Sequence, residues 1–122
     1  MASRPALADK AALLFHDYFG HQPKVVAWGP GRVNLIGGHT DYNEGLAMPA
    51  AINRWVAVAL RPRRDAAIRI QSIDYNDMLT LIPGDTPVLK KSWQRYVDGA
   101  IKVFTEHAGY PGGFDALFLG DV

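Results

Sequence analysis

The segment FDALFL (114–119) constrains the fold most. It follows the turn PGG (111–113) and reads as a strand buried on both faces. A strand of that kind sits in the middle of a sheet and needs cover above and below it, which demands a layered arrangement of strands and helices. Only Gly120, Asp121 and Val122 follow it. With nothing after it to pair or cover it, the strand is expected to leave an exposed edge and an uncovered face, through which chains would self-associate. The same position leads us to expect a single partial domain over residues 1–122, truncated, with a C-terminal domain absent.

The other elements are read from periodicity and punctuation. Leu7, Ala11, Leu14, Phe15 and Tyr18 recur at helical spacing, with Pro5 suited to the first turn and Gly20 to the position past the end. VVAW (25–28) predicts a short strand broken by GPG (29–31). RWVAVALR (54–61) is the clearest strand, rich in β-branched and aromatic residues and ended by Pro62. Alternation in AIRIQS (67–72) predicts a half-buried strand with Ile68 and Ile70 on one face, and Leu79 to Ile82 a further one, ended by PGD. The turns between them favour antiparallel neighbours. A long helix follows, with Ser92 as N-cap, an apolar stripe of Trp93, Tyr96, Val97, Ala100, Ile101 and Phe104, and Gly109 as its stop. No repeat, linker or low-complexity segment interrupts the chain. The expected fold class is α/β (α+β), with a mixed, largely antiparallel sheet and helices on one face.

Composition narrows the function classes. At 122 residues, with 48% hydrophobic and 20% charged residues, the chain has ordinary globular composition and enough length for a real core. A formal net charge of +1 gives no electrostatic case for nucleic acid or an anionic membrane as partner. Arg61, Arg63 and Arg64 read as a solvated strand end rather than a phosphate clamp, because arginine is rarely buried. There are no cysteines, so disulfides and thiolate chemistry are excluded. The N-terminus lacks the order of a signal peptide, and no apolar run approaches the roughly 20 residues that span a bilayer. A cytoplasmic protein is the expectation.

The chemistry is concentrated in GRVNLIGGHTDYNEG (31–45), which gathers an arginine, a glycine pair, a histidine and acidic groups. GPGRVN is not a dinucleotide fingerprint, since Asn34 occupies the third glycine position, and no lysine followed by serine or threonine completes a nucleotide P-loop. His16, His21, His39 and His107 lack metal-ligand spacing, and there is no G-x-S-x-G elbow. HTDYNEG also reads as a turn, because Asp, Asn and Gly are turn formers. Against that, the strand-like run RVNLI feeds straight into it, placing Arg32 and Asp41 beside one sheet edge. Asp41 and Asn43 offer the acceptors and donors that vicinal sugar hydroxyls need.

GRVNLIGGHTDYNEGLAMPAAI (31–52) resembles the signature of the galactokinases, in the GHMP small-molecule kinase superfamily. Trp93, Tyr96 and Gly99 are similar to that family's Trp-x-x-Tyr-x-x-Gly helix, and GFDALFLGDV (113–122) resembles the strand leading into its Gly/Ser-rich phosphate loop. The resemblance implies the fold of the GHMP kinase N-terminal domain (ribosomal protein S5 domain 2-like). It implies ATP-dependent phosphorylation of the anomeric hydroxyl of D-galactose to galactose 1-phosphate, with galactose, ATP and Mg²⁺ as small-molecule partners. Carried over by position, Arg32 is the catalytic residue that stabilises the transferred phosphoryl group. Gly38, His39 and Asp41 fall at substrate-binding positions, and Trp93 and Tyr96 at the adenine pocket. The last two also read as core packing on an amphipathic helix. No residue of the chain is implied as a metal ligand.

Gly38 departs from the family, which has glutamate there. The phosphate loop, the Mg²⁺-associated groups and the aspartate base of the family all fall beyond Val122, so the isolated chain is expected to be inactive. Two further readings stay open: a non-catalytic galactose-binding or regulatory relative, and a kinase for a related sugar.

Overall fold

The structure, a computed structural model, describes residues 4–36 and 48–121. In chain order the elements are α1 (Ala6–Phe19), β1 (Val25–Ile36), β2 (Met48–Pro62), β3 (Ile68–Ser72), β4 (Asp77–Leu81), α2 (Ser92–Ala108) and β5 (Phe114–Gly120). The strands form one sheet in the order β1-β2-β5-β3-β4. Pairs β1–β2, β2–β5 and β3–β4 are antiparallel, and β3–β5 is parallel. The mixed, largely antiparallel α+β class expected from sequence is therefore borne out.

FDALFL is the central strand, and its expected open edge is corrected. β2 closes one side of it and β3 the other. Its neighbours come from earlier in the chain, because α2 carries the polypeptide back across the sheet and β5 inserts between β2 and β3. Among the described strands the edges of the sheet are β1 and β4.

The helices lie on opposite faces rather than on one. Successive residues of β5 point to opposite sides of the pleat. Leu117 and Leu119 join Ala57 and Ala59 of β2 beneath Ala8, Ala11 and Phe15 of α1. Ala116 joins Ile68, Ile70, Leu79 and Trp93 in a second core, with Phe118, Val97 and Ile101 packed against it. A strand apolar on both faces needs cover on both, and one helix supplies each. Facing alanines bring α1 close to the sheet, whereas the larger Trp93, Val97 and Ile101 fill the layer under α2.

Local differences have local causes. α1 turns its Ala8–Ala11–Phe15 line to the sheet and leaves Tyr18 49% exposed, a shift of the expected stripe. It ends where Gly20 takes φ 75°, a left-handed turn that lets its N–H donate to the His16 carbonyl at 2.8 Å. GPG does not break β1. The strand runs on to Ile36 with irregular register between Pro30 and Arg32 and between Asn34 and Ile36. Pro30 is tolerated because β1 is an edge strand, where one row of amides has no ladder partner. β3 is not half-buried, because it lies inside the sheet, and Gln71 and Ser72 are buried with Ile68 and Ile70. Ser92 is the first helical residue of α2, with Lys91 in the cap position.

Candidate functional site

Arg32 sits on β1, opposite Ala51 of β2, with its side chain exposed. It lies just past a break in register. Pro30 pairs with Trp55 and Arg32 with Ala51, so Gly31 alone spans Ile52, Asn53 and Arg54 on β2. Such bulges re-aim side chains beside functional sites. Gly38, His39 and Asp41, with Asn43, lie outside the described residues, so Arg32 is the member of the sequence-predicted sugar wall whose position is seen.

The end of β5 reaches the same region. The ladder between β2 and β5 closes at Val56 and Gly120. One residue on, the Asp121 N–H donates to the Trp55 carbonyl at 3.0 Å, and the Asp121 carboxylate accepts from the Trp55 N–H. The Trp55 indole N–H donates to Asn53 Oδ1 at 3.3 Å, inside the bulge. On the other side of the strand, Asp74 Oδ2 accepts the Gly120 N–H at 2.8 Å.

Trp93 and Tyr96 belong to the α2 side, over β3, β4 and β5. Trp93 is only 6% exposed. Its ring lies parallel to Tyr75 at 6.2 Å between centroids and edge-on to Phe118 at 5.5 Å, and its indole N–H donates to Asp77 Oδ2 at 3.1 Å. That oxygen also accepts from Gln94 at 2.9 Å and faces the Lys91 ammonium at 3.1 Å. The Lys91 hydrogen bond is the main cause holding the Asp77 carboxyl below its usual range, over the opposing effect of desolvation. Tyr96 is 81% exposed on another side of the helix. Arg32 on the β1 edge and the Trp93 cluster thus occupy different parts of the sheet. Sequence reasoning missed Tyr75 and Asp77, which lie in IDYND (73–77), a stretch that reads as a plain polar turn.

The basic run is not simply solvated. Arg63 grips Asp65 with two hydrogen bonds at 2.8 and 2.7 Å and reaches Asp115 at 2.9 Å, where Arg69 also donates at 2.9 Å. Arg61 donates to the Gln22 carbonyl at 3.0 Å. The correction concerns Arg63 above all, and its cause is the buried carboxylate of β5. Hydrogen bonding from Arg63 draws the Asp65 carboxyl down to about 2. Burial opposes ionisation of Asp115, and the hydrogen bonds from Arg69 and Arg63 more than offset it, so its pKa also falls.

A groove of about 930 Å³ runs between α2 and residues 82–89, over Leu81, Leu89 and Ile101. None of the sequence-predicted site residues lines it. Among the described residues no group of three or more His, Cys, Asp or Glu side chains converges on a metal position. No helix among them is long and apolar enough to cross a membrane.

Comparison with known proteins adds identity to this geometry. The galactokinase galactose-binding signature matches residues 13–62, a span that takes in the end of α1, all of β1 and all of β2. The galactokinase of Lactococcus lactis, solved in complex with galactose, superposes with a TM-score of 0.71 at 32% identity, over 96% of this chain and 30% of that one. The mevalonate kinase of Methanococcus jannaschii matches in fold at a TM-score of 0.64 and 20% identity, over 80% of this chain and 32% of that one. A D-glycero-D-manno-heptose 1-phosphate kinase from Bacteriodes thetaiotaomicron does so at 0.56 and 18%, over 80% of this chain and 34% of that one. The chain thus spans about a third of the length of these solved kinases. Signature and fold together support a galactokinase-family relationship for this chain, whose fold matches the N-terminal domain of the GHMP kinases.

Proposed function

We propose that the chain forms the sugar-side wall of a galactokinase site, serving ATP-dependent phosphorylation of the anomeric hydroxyl of D-galactose. The observation that carries this is the galactose-binding signature, whose span encloses Arg32, Gly38, His39 and Asp41. In this reading His39 and Asp41 hold sugar hydroxyls, which fixes the anomeric oxygen in place. Arg32, presented on the bulged edge strand, stabilises charge on the group being transferred.

ATP supplies that phosphoryl group. Trp93 and Tyr96 fall at the adenine positions, and of the two Tyr96 presents an exposed ring that can meet the flat face of a purine, while Trp93 is buried against Tyr75. Mg²⁺ ordinarily enters such sites on the nucleotide phosphates, with few protein ligands of its own. The residues that accept the sugar proton and cradle the phosphates in the family have no counterparts among these 122 residues. Residues 1–122 assayed by themselves are therefore expected to bind sugar without turning it over.

The test is calorimetry of the 122-residue chain with galactose and with ATP, beside an assay for galactose 1-phosphate. Galactose binding without product above an enzyme-free control is the expected result. Silence with galactose would overturn the sugar-wall reading, and measurable turnover would overturn the placement of the missing groups. Gly38, where the family has glutamate, favours one second reading, a kinase for a related sugar. Tighter binding of another hexose or of arabinose in the same titration would select it.

A further inference from the structure

We propose that Asp121 is a positioning residue for Arg32, acting through the Trp55 backbone. The inference rests on the reading of Arg32 as the phosphoryl-side group. β1 is an edge strand, so among the described strands β2 alone holds the backbone of Arg32. That support is interrupted, since three residues of β2 bulge opposite Gly31 and regular pairing resumes at Trp55. Trp55 is thus the anchor on one side of the bulge, and its own attachment to the rest of the sheet decides how firmly the bulge is held.

That attachment is unusual. Continuation of the β2–β5 ladder would pair Trp55 with Asp121 through two main-chain bonds. One is present, from the Asp121 N–H to the Trp55 carbonyl at 3.0 Å. For the other, the Asp121 side-chain carboxylate takes the place of the main-chain acceptor and receives the Trp55 N–H. The side chain lets the polypeptide leave the sheet at Asp121 while Trp55 stays bonded on both of its polar groups. The Asn53–indole contact then ties the bulge to Trp55. Asp121 is exposed and belongs to neither hydrophobic core, so its carboxylate serves this junction and not the bulk of the fold. Asp74 provides an internal comparison, because it bonds Gly120 at the same strand end on the side away from Trp55.

The experiment uses the 122-residue chain and its Asp121→Ala, Asp121→Asn and Asp74→Ala variants, read by amide NMR and by titration with galactose and galactose 1-phosphate. In Asp121→Ala, the Trp55 amide should exchange roughly 10-fold faster or more, as expected on loss of a hydrogen bond to a carboxylate. The Arg32 amide should shift with it, and galactose 1-phosphate should weaken several-fold while galactose is unchanged. Asp121→Asn, which keeps an acceptor oxygen, should restore Arg32, and Asp74→Ala should disturb Gly120 alone. An Arg32 amide that stays in place in Asp121→Ala overturns the proposal. So does an equal loss for sugar and sugar phosphate, or a matching Arg32 shift in Asp74→Ala. If the unmodified chain binds neither ligand, the galactokinase reading fails, and the Arg32 and Trp55 amides still decide the positioning role.

Discussion

A Cβ built on Gly113 would collide with the backbone carbonyl oxygens of Asp65 and Ala67, the second at 2.7 Å. Both obstacles are main chain and cannot swing aside. Gly113→Ala should therefore cost about 1–3 kcal/mol, as overpacking does, measurable as a lower urea midpoint. Gly99, inside α2, has nothing within 4 Å of its would-be Cβ. There Gly→Ala should raise stability by about 0.5–1 kcal/mol, through the cost glycine carries in a helix. The sequence marks Gly113 as part of a turn and Gly99 as part of a motif, and cannot tell which one lacks space. That demand comes from a segment some 45 residues away. Gly38, outside the described residues, is the reverse case, legible only in sequence, as a position where the family carries a carboxylate. Restoring one to a sugar hydroxyl adds about 1.5–3 kcal/mol. Gly38→Glu should then tighten galactose binding by roughly 10- to 150-fold in calorimetry, and unchanged affinity would show that another group already fills the role.

α2 shows how an element's face is read too broadly from sequence. Its helical spacing predicts an apolar stripe that includes Tyr96, Ala100 and Phe104, yet the sheet takes the line of Trp93, Val97 and Ile101. Helical spacing gives a wide sector, and the curvature of one helix on one sheet covers a narrower one. The expected split is that Trp93→Ala loses about 3–5 kcal/mol, as for a buried aromatic, whereas Tyr96→Ala stays within about 0.5 kcal/mol. Weaker ATP binding in Tyr96→Ala at unchanged thermal midpoint would establish the nucleotide contact. Strand ends carry a second prediction. Asp65 and Asp115 have folded pKa values below the ordinary 3.8, Asp65 at about 2, so the stability they give is present above 3.8 and is lost as pH falls through each lowered folded pKa. Asp115, buried between Arg63 and Arg69, contributes most of it, and Asp65 little, because it is exposed. Asp115→Asn should lower stability at pH 7 by about 1–3 kcal/mol, with the gap to the unmodified chain closing in acid. A gap that stays constant from pH 7 until the chain unfolds in acid would remove the linkage.

At the scale of the whole molecule, the two-faced burial of FDALFL was legible in its residues, and its partners were not. Periodicity reports which faces are covered but is silent on order, so by sequence alone a strand late in the chain lacks the neighbours that earlier strands in fact provide. Among the described strands, two hairpin-like pairs, β1–β2 and β3–β4, are joined into one sheet through β5 alone. The same strand sends Leu117 and Leu119 into the core under α1 and Ala116 and Phe118 into the core under α2. Each pair without it is a two-stranded ribbon with half a core, which is marginal in water. The two cores should therefore melt together, and β5 should be what couples them. A chain ending at Gly112 should lose the cooperative thermal transition altogether, where simple loss of an edge strand would only lower its midpoint. Circular dichroism of that shortened chain against residues 1–122 makes the test. A sharp melt in the shortened chain would mean that α1 with β1–β2, or α2 with β3–β4, folds alone, and would dissolve the account of β5 as the strand that makes one domain of two halves.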